Sequence, residues 1–139
     1  MNKSRKKIRS VTYAGVFPFY FSPMSNYFNY DEILFKISEI ETISSLYAAL
    51  IVCFLSGMQW QKIIETNIEG FFFFFPLLPL FLVSTYTFYD NQIYSSSILV
   101  LSLFLSLLID LRIYKKKSER WFKKLRISAT FLAVVSFLV

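Results

Sequence analysis

Apolar residues gather along this chain into five runs separated by short polar connections. The runs cover approximately residues 8–24, 43–64, 71–88, 93–110 and 122–139. A helix crossing a bilayer needs about 17–25 predominantly apolar residues, and each run falls near that length. The pattern predicts an all-α fold, a polytopic membrane bundle of about five transmembrane helices forming a single domain over 1–139. The first run is short and carries Pro18 and Pro23. Pro18 lacks a backbone donor and should kink its helix. In lipid the freed carbonyl must find a protein partner. A helix lying in the interface is the alternative for this run.

Finer features refine these elements. In the connection 25–42, Ile33, Leu34, Ile37 and Ile40 stand at helical spacing and suggest a short amphipathic surface helix. Ser38-x-x-Glu41 reads as a capping box opening the second span. Within that span Ser45, Ala49, Cys53 and Gly57 recur every four residues. Small residues at this spacing let two helices approach closely, either between two copies or inside one bundle. Gln59, Trp60 and Gln61 mark a lipid–water boundary. Pro76 and Pro79 interrupt the third span, which must bend or unwind. Tyr86, Tyr89, Asp90 and Asn91 form a tight turn after it. Ser102 and Ser106 give the fourth span a small-residue face, and Ala129 and Ala133 do the same for the fifth. Ser118 is a candidate N-cap for the last helix.

Charge orients the bundle. The chain is 55% hydrophobic and only 17% charged, yet its net charge is +6. The surplus lies in two clusters, Lys3–Arg9 and 112–126; without them the balance is negative. Five crossings place both clusters on one face, as the positive-inside rule requires. The N-terminus is therefore expected in the cytoplasm. Lys115, Lys116, Lys117, Lys123 and Lys124 would face the headgroups, where cations also attract anionic lipid. Most of the aromatic residues lie inside the apolar runs, away from any base they would stack on, so nucleic acid is not an expected partner.

The chemistry available is sparse. There is no histidine and one cysteine, Cys53, in an apolar run. Nucleophile-elbow, phosphate-loop and paired-cysteine patterns are absent. Asp110 is the one carboxylate near a span interior, and Arg112 two residues on offers it an ion pair. No catalytic, cofactor-binding or metal residue is assigned.

Four blocks carry a family likeness: Thr12–Pro18 with Gly15; Tyr47–Trp60; the proline-bearing Phe75–Leu82; and Trp121–Thr130 with Arg126. Through them the chain resembles small multi-pass membrane proteins of the transmembrane protein 69 type, which share a domain of unknown function (number 3429). Asp110 is counted with these motif positions. Ser56 stands where that family usually has Gly, and Gln59 where it commonly has His. The resemblance implies about five helices in a bacterial inner (plasma) membrane, or a mitochondrial inner membrane. It supplies no activity.

The expected role is that of a non-enzymatic accessory or assembly protein acting through helix–helix contacts. Its expected partners are the bilayer and other membrane proteins or a second copy, with no soluble small-molecule substrate and no cofactor. The alternative is a small transporter or lipid-handling protein working as a dimer, motivated by the proline-broken helices and Gln59.

Overall fold

The computed structural model describes residues 3–28, 37–68, 70–86, 92–115 and 119–138. These form five helical segments, and no strand occurs among the described residues. Helix α1 (Lys3–Val16) passes through a 3-10 turn (Phe17–Tyr20) into α2 (Phe21–Phe28). Helix α3 (Ile37–Glu65) is the longest. A second 3-10 turn (Phe71–Phe74) leads into α4 (Leu77–Tyr86), followed by α5 (Gln92–Ile113) and α6 (Arg120–Leu138).

Both 3-10 turns sit at prolines, and both are completed from α3. Pro18 has no N–H to offer the carbonyl of Gly15, three residues earlier; the Tyr47 hydroxyl donates to it instead at 2.7 Å. Pro76 likewise leaves the carbonyl of Phe73, which accepts from the Trp60 indole N–H at 2.9 Å. Pro79 lies in the first turn of α4, where a helix has spare N–H groups and tolerates proline. Pro76 and Pro79 are fully buried.

Helix α3 ends in a Schellman cap. Asn67 takes the left-handed conformation (φ 49). The Ile68 N–H reaches the Ile63 carbonyl and the Asn67 N–H reaches that of Ile64, both at 3.2 Å. Ile68 also packs on the cluster containing Ile63, the apolar contact that accompanies this motif. Gly70 follows at φ 89 and turns the chain into the 3-10 segment.

Helix α5 packs against α3, α4 and α6. One apolar cluster joins Ala48 and Val52 of α3 to Leu99 and Leu103 of α5, with Phe19, Val83 and Ala133. A second joins Ile63 to Ile109 and Ile113. Helices α3 and α5 therefore run parallel. So do α1 and α6: Arg5 lies over Trp121, Tyr13 bonds Ser128, and Tyr20 donates to the Leu132 carbonyl. This pairing brings the N-terminal basic cluster and the start of α6 to one end of the bundle.

Several boundaries differ from the sequence reading. The first helical segment continues to Phe28 rather than ending near residue 24. Helix α3 begins at Ile37, before Ser38, so Ser38 does not open it as a cap. Residues 31–36, 87–91 and 116–118 lie outside the described residues; with them fall most of the surface helix, the Tyr89–Asn91 turn and the Ser118 cap. Two helices are long and apolar enough to cross a membrane by length and composition, Thr42–Glu65 and Ser96–Ile113; Phe71–Thr85 is a shorter apolar helix.

Candidate functional site

Between the two apolar clusters lies a buried polar one, built from α3, α5 and α6. On α5, Ser102, Ser106 and Asp110 stand at four-residue steps, so they share one face. That face is buried against α3 and α6: both serines are 0% exposed and Asp110 is 4% exposed. A carboxylate so placed needs donors. The side-chain amide nitrogen of Gln59, on α3, donates to Asp110 Oδ1 at 2.9 Å. The same nitrogen reaches the Ser106 carbonyl at 2.9 Å and its Oγ at 3.1 Å. These acceptors fix the orientation of the amide. The other carboxylate oxygen, Oδ2, accepts from Arg126 Nε of α6. Asp110 thus ties three helices together.

The cluster is tightly enclosed. Gln59 Oε1, Arg126 Nη2 and Ser56 Oγ are buried without a hydrogen-bond partner. Arg126 and Thr130 also edge a cavity of about 240 Å³ between α1, α3 and α6, whose other walls are mostly apolar. Just beyond the cluster, Tyr114 packs against Phe122 with the rings tilted at 49° and their centroids 4.7 Å apart. Burial, reinforced by the Asp110 carboxylate, pushes the Tyr114 phenol up to about 12. Lys62 lies over the Tyr114 ring and bonds Glu119 at 2.7 Å.

The expected partner of Asp110 is corrected. Arg112 is exposed, and Asp110 pairs with Arg126, a residue 16 positions on. Residues two apart on a helix point to different faces, so Arg112 does not reach the face Asp110 occupies. Gln59 faces the bundle interior and is 0% exposed. The signal available in the sequence was the stripe Ser102, Ser106, Asp110, which puts the carboxylate on a face that must be covered.

The α3 stripe is shifted by one residue. The face packed inside the bundle carries Ser44, Ala48, Val52 and Ser56, all buried. Ser45 and Ala49 are half-buried, while Cys53 and Gly57 are exposed, and nothing lies within 4 Å of where a Cβ on Gly57 would stand. Ala129 and Ala133 are in the core. Among the motif positions, Gly15 meets Tyr47, Trp60 meets Phe73, and Trp121 underlies the Arg5 guanidinium at 5.4 Å. Thr130 is buried beside Arg126.

Of the lysines, Lys123 donates to the Leu111 carbonyl at 3.1 Å and so caps the end of α5. Lys115 and Lys124 are exposed. Lys116 and Lys117 lie outside the described residues. Among the described residues no group of three His, Cys, Asp or Glu side chains is placed to hold a metal ion.

The class these features define is an all-helical protein with two helices of membrane-spanning length and a buried ionic cluster at one level of its core. The chain belongs to the family described as Protein of unknown function (DUF3429), whose profile matches residues 4–139. No curated protein and no solved structure matches it.

Proposed function

We propose that the chain is an integral membrane protein whose five helical segments cross the bilayer, with both basic clusters on the cytoplasmic side. We further propose that it acts as a non-enzymatic accessory or assembly protein through helix–helix contacts. The observation that carries this reading is an inversion of polarity. The interior holds Ser44, Ser56, Gln59, Ser102, Ser106, Asp110, Arg126, Thr130 and Ser136. The outer faces of the same helices carry Leu50, Phe54, Phe81, Leu101, Phe104 and Phe131, each about half exposed or more. Water would leave that apolar exterior unfavourably solvated; lipid solvates it well and favours polar groups that bond one another inside.

A contact role fits the distribution of reactive groups. A general acid or base must exchange its proton with a substrate, whereas both oxygens of Asp110 are already engaged. The exposed side of α3 offers Gly57 and Cys53 as a shallow track between Leu50, Phe54 and Ile64, a shape a neighbouring helix fits. The likeness to transmembrane protein 69-type proteins supports a bacterial inner (plasma) membrane, or a mitochondrial inner membrane in a eukaryote. The test is Gly57→Leu in the native membrane. The expected result is unchanged abundance with loss of co-purifying membrane proteins or of self-association; unchanged association overturns the contact role.

The apolar cavity bordered by Arg126 and Thr130 favours one second reading, lipid handling or small-solute transport by a dimer. Flux through proteoliposomes that depends on dimer formation would establish it.

A further inference from the structure

The two basic clusters do more than share an end of the bundle. Where α1 meets α6 they line one cleft of about 430 Å³. Arg5 and Arg9, one turn apart on α1, form one wall, and Lys124 of α6 the other. Trp121, Tyr13, Leu125 and Ser128 complete the lining. Arg5 stacks over Trp121 at 5.4 Å and Arg9 over Tyr13 at 5.9 Å, so the aromatic rings hold both guanidinium groups at the cleft. Tyr13 and Ser128 bond one another at 3.1 Å and leave hydroxyl lone pairs and a proton at its inner end. No carboxylate lines the cleft, and none of its three cations is in an ion pair among the described residues.

We propose that this cleft binds the phosphodiester headgroup of one anionic phospholipid. Three cations with no carboxylate partner among the described residues, beside one free hydroxyl proton, suit a phosphate. The source is a lipid rather than a free phosphate because Leu125 is in the lining and helical spacing sets further apolar residues on the Lys124 side of α6. Ile127 and Phe131 follow Lys124 on α6 and are 45% and 67% exposed, ready to meet acyl chains. The site is assembled only in the fold, from residues 5–13 and 121–128, and is distinct from the diffuse attraction of a basic cluster.

The test is native mass spectrometry of the full chain in detergent, titrated with dioleoylphosphatidylglycerol or dioleoylphosphatidylcholine, with excess glycerol 3-phosphate as competitor. Arg5→Gln/Arg9→Gln/Lys124→Gln empties the cleft of charge; Lys6→Gln/Lys7→Gln/Lys115→Gln removes the same charge elsewhere. The expected result is a retained phosphatidylglycerol, bound about tenfold or more weakly by the cleft variant and within about twofold by the control. Equal retention of both lipids, or equal weakening by both variants, overturns the site. Displacement by glycerol 3-phosphate overturns the lipid assignment in favour of a free phosphate. If the cleft variant fails to fold, Arg9→Gln/Lys124→Gln, at two exposed positions, is read by the same criteria.

Discussion

The Tyr47 hydroxyl donates to the carbonyl of Gly15, and in doing so completes a helix that Pro18 leaves open. Trp60 does the same for Phe73 ahead of Pro76. Helix α3 therefore acts as the donor strip on which both proline turns are fastened. Tyr47→Phe removes one donor without changing shape. It should lower stability by about 0.5–1.5 kcal/mol, the net worth of a hydrogen bond to a half-buried carbonyl; the loss of the indole donor in Trp60→Phe should cost less, because water can reach the Phe73 carbonyl in its place. Thermal unfolding in detergent measures both against the wild type.

The Asp110–Arg126 pair makes a larger claim. Removing one member strands a buried charge, at about 3–5 kcal/mol. Asp110→Asn and Arg126→Gln should each destabilise strongly, and the double variant by much less than the sum of the two. Arg112→Gln should be close to neutral. A double-mutant cycle on unfolding reads the coupling; additive effects would refute the pairing.

The register of α3 is equally open to test. Ala48→Leu or Ser56→Leu overfills a packed face and should cost about 1–3 kcal/mol. Cys53→Leu and Gly57→Leu point outward and should stay within about 0.5 kcal/mol of wild type. Purified protein in detergent isolates this effect from any loss of partners. The reverse pattern would return the buried stripe to Ser45–Gly57.

Much of this arrangement is legible in the sequence, and the exceptions have physical causes. Five apolar runs foretell five helical segments, because hydropathy over a long window averages out local detail. Pro18 and Pro76 stand where the helical geometry changes, since proline alters the hydrogen-bond ladder whatever surrounds it. The α3 stripe is ambiguous by one position: Ser44, Ala48, Val52 and Ser56 form as regular a series as Ser45, Ala49, Cys53 and Gly57. Size alone does not separate them, because Val52 is larger than the Cys53 on the rival series. The Asp110–Arg126 pair spans two helices, and only the packing of α5 on α6 brings it together; sequence proximity favours Arg112 instead. Gln59 next to Trp60 resembles an interfacial belt, yet the helix continues to Glu65 and carries Gln59 into the core.

Tyr114 gives a pH signature. Its phenol is held up to about 12 when folded, against about 10 in an unfolded chain. The unfolded state therefore releases this proton first, and stability falls as pH rises from about 10 towards 12. Below pH 10 the contribution is intact. Tyr114→Phe should have a flatter melting profile across that interval than the wild type; parallel profiles would contradict the assignment.

The most direct measurement concerns sidedness. In a Cys53→Ser background, single cysteines are placed by Lys7→Cys and by Arg120→Cys and exposed to a membrane-impermeant maleimide, first in intact cells and then in inverted vesicles. Both positions should resist labelling in cells and react in inverted vesicles, with the protein leaving the membrane only in detergent. Labelling of the two positions from opposite sides, or a chain that remains in solution without detergent, would contradict the account.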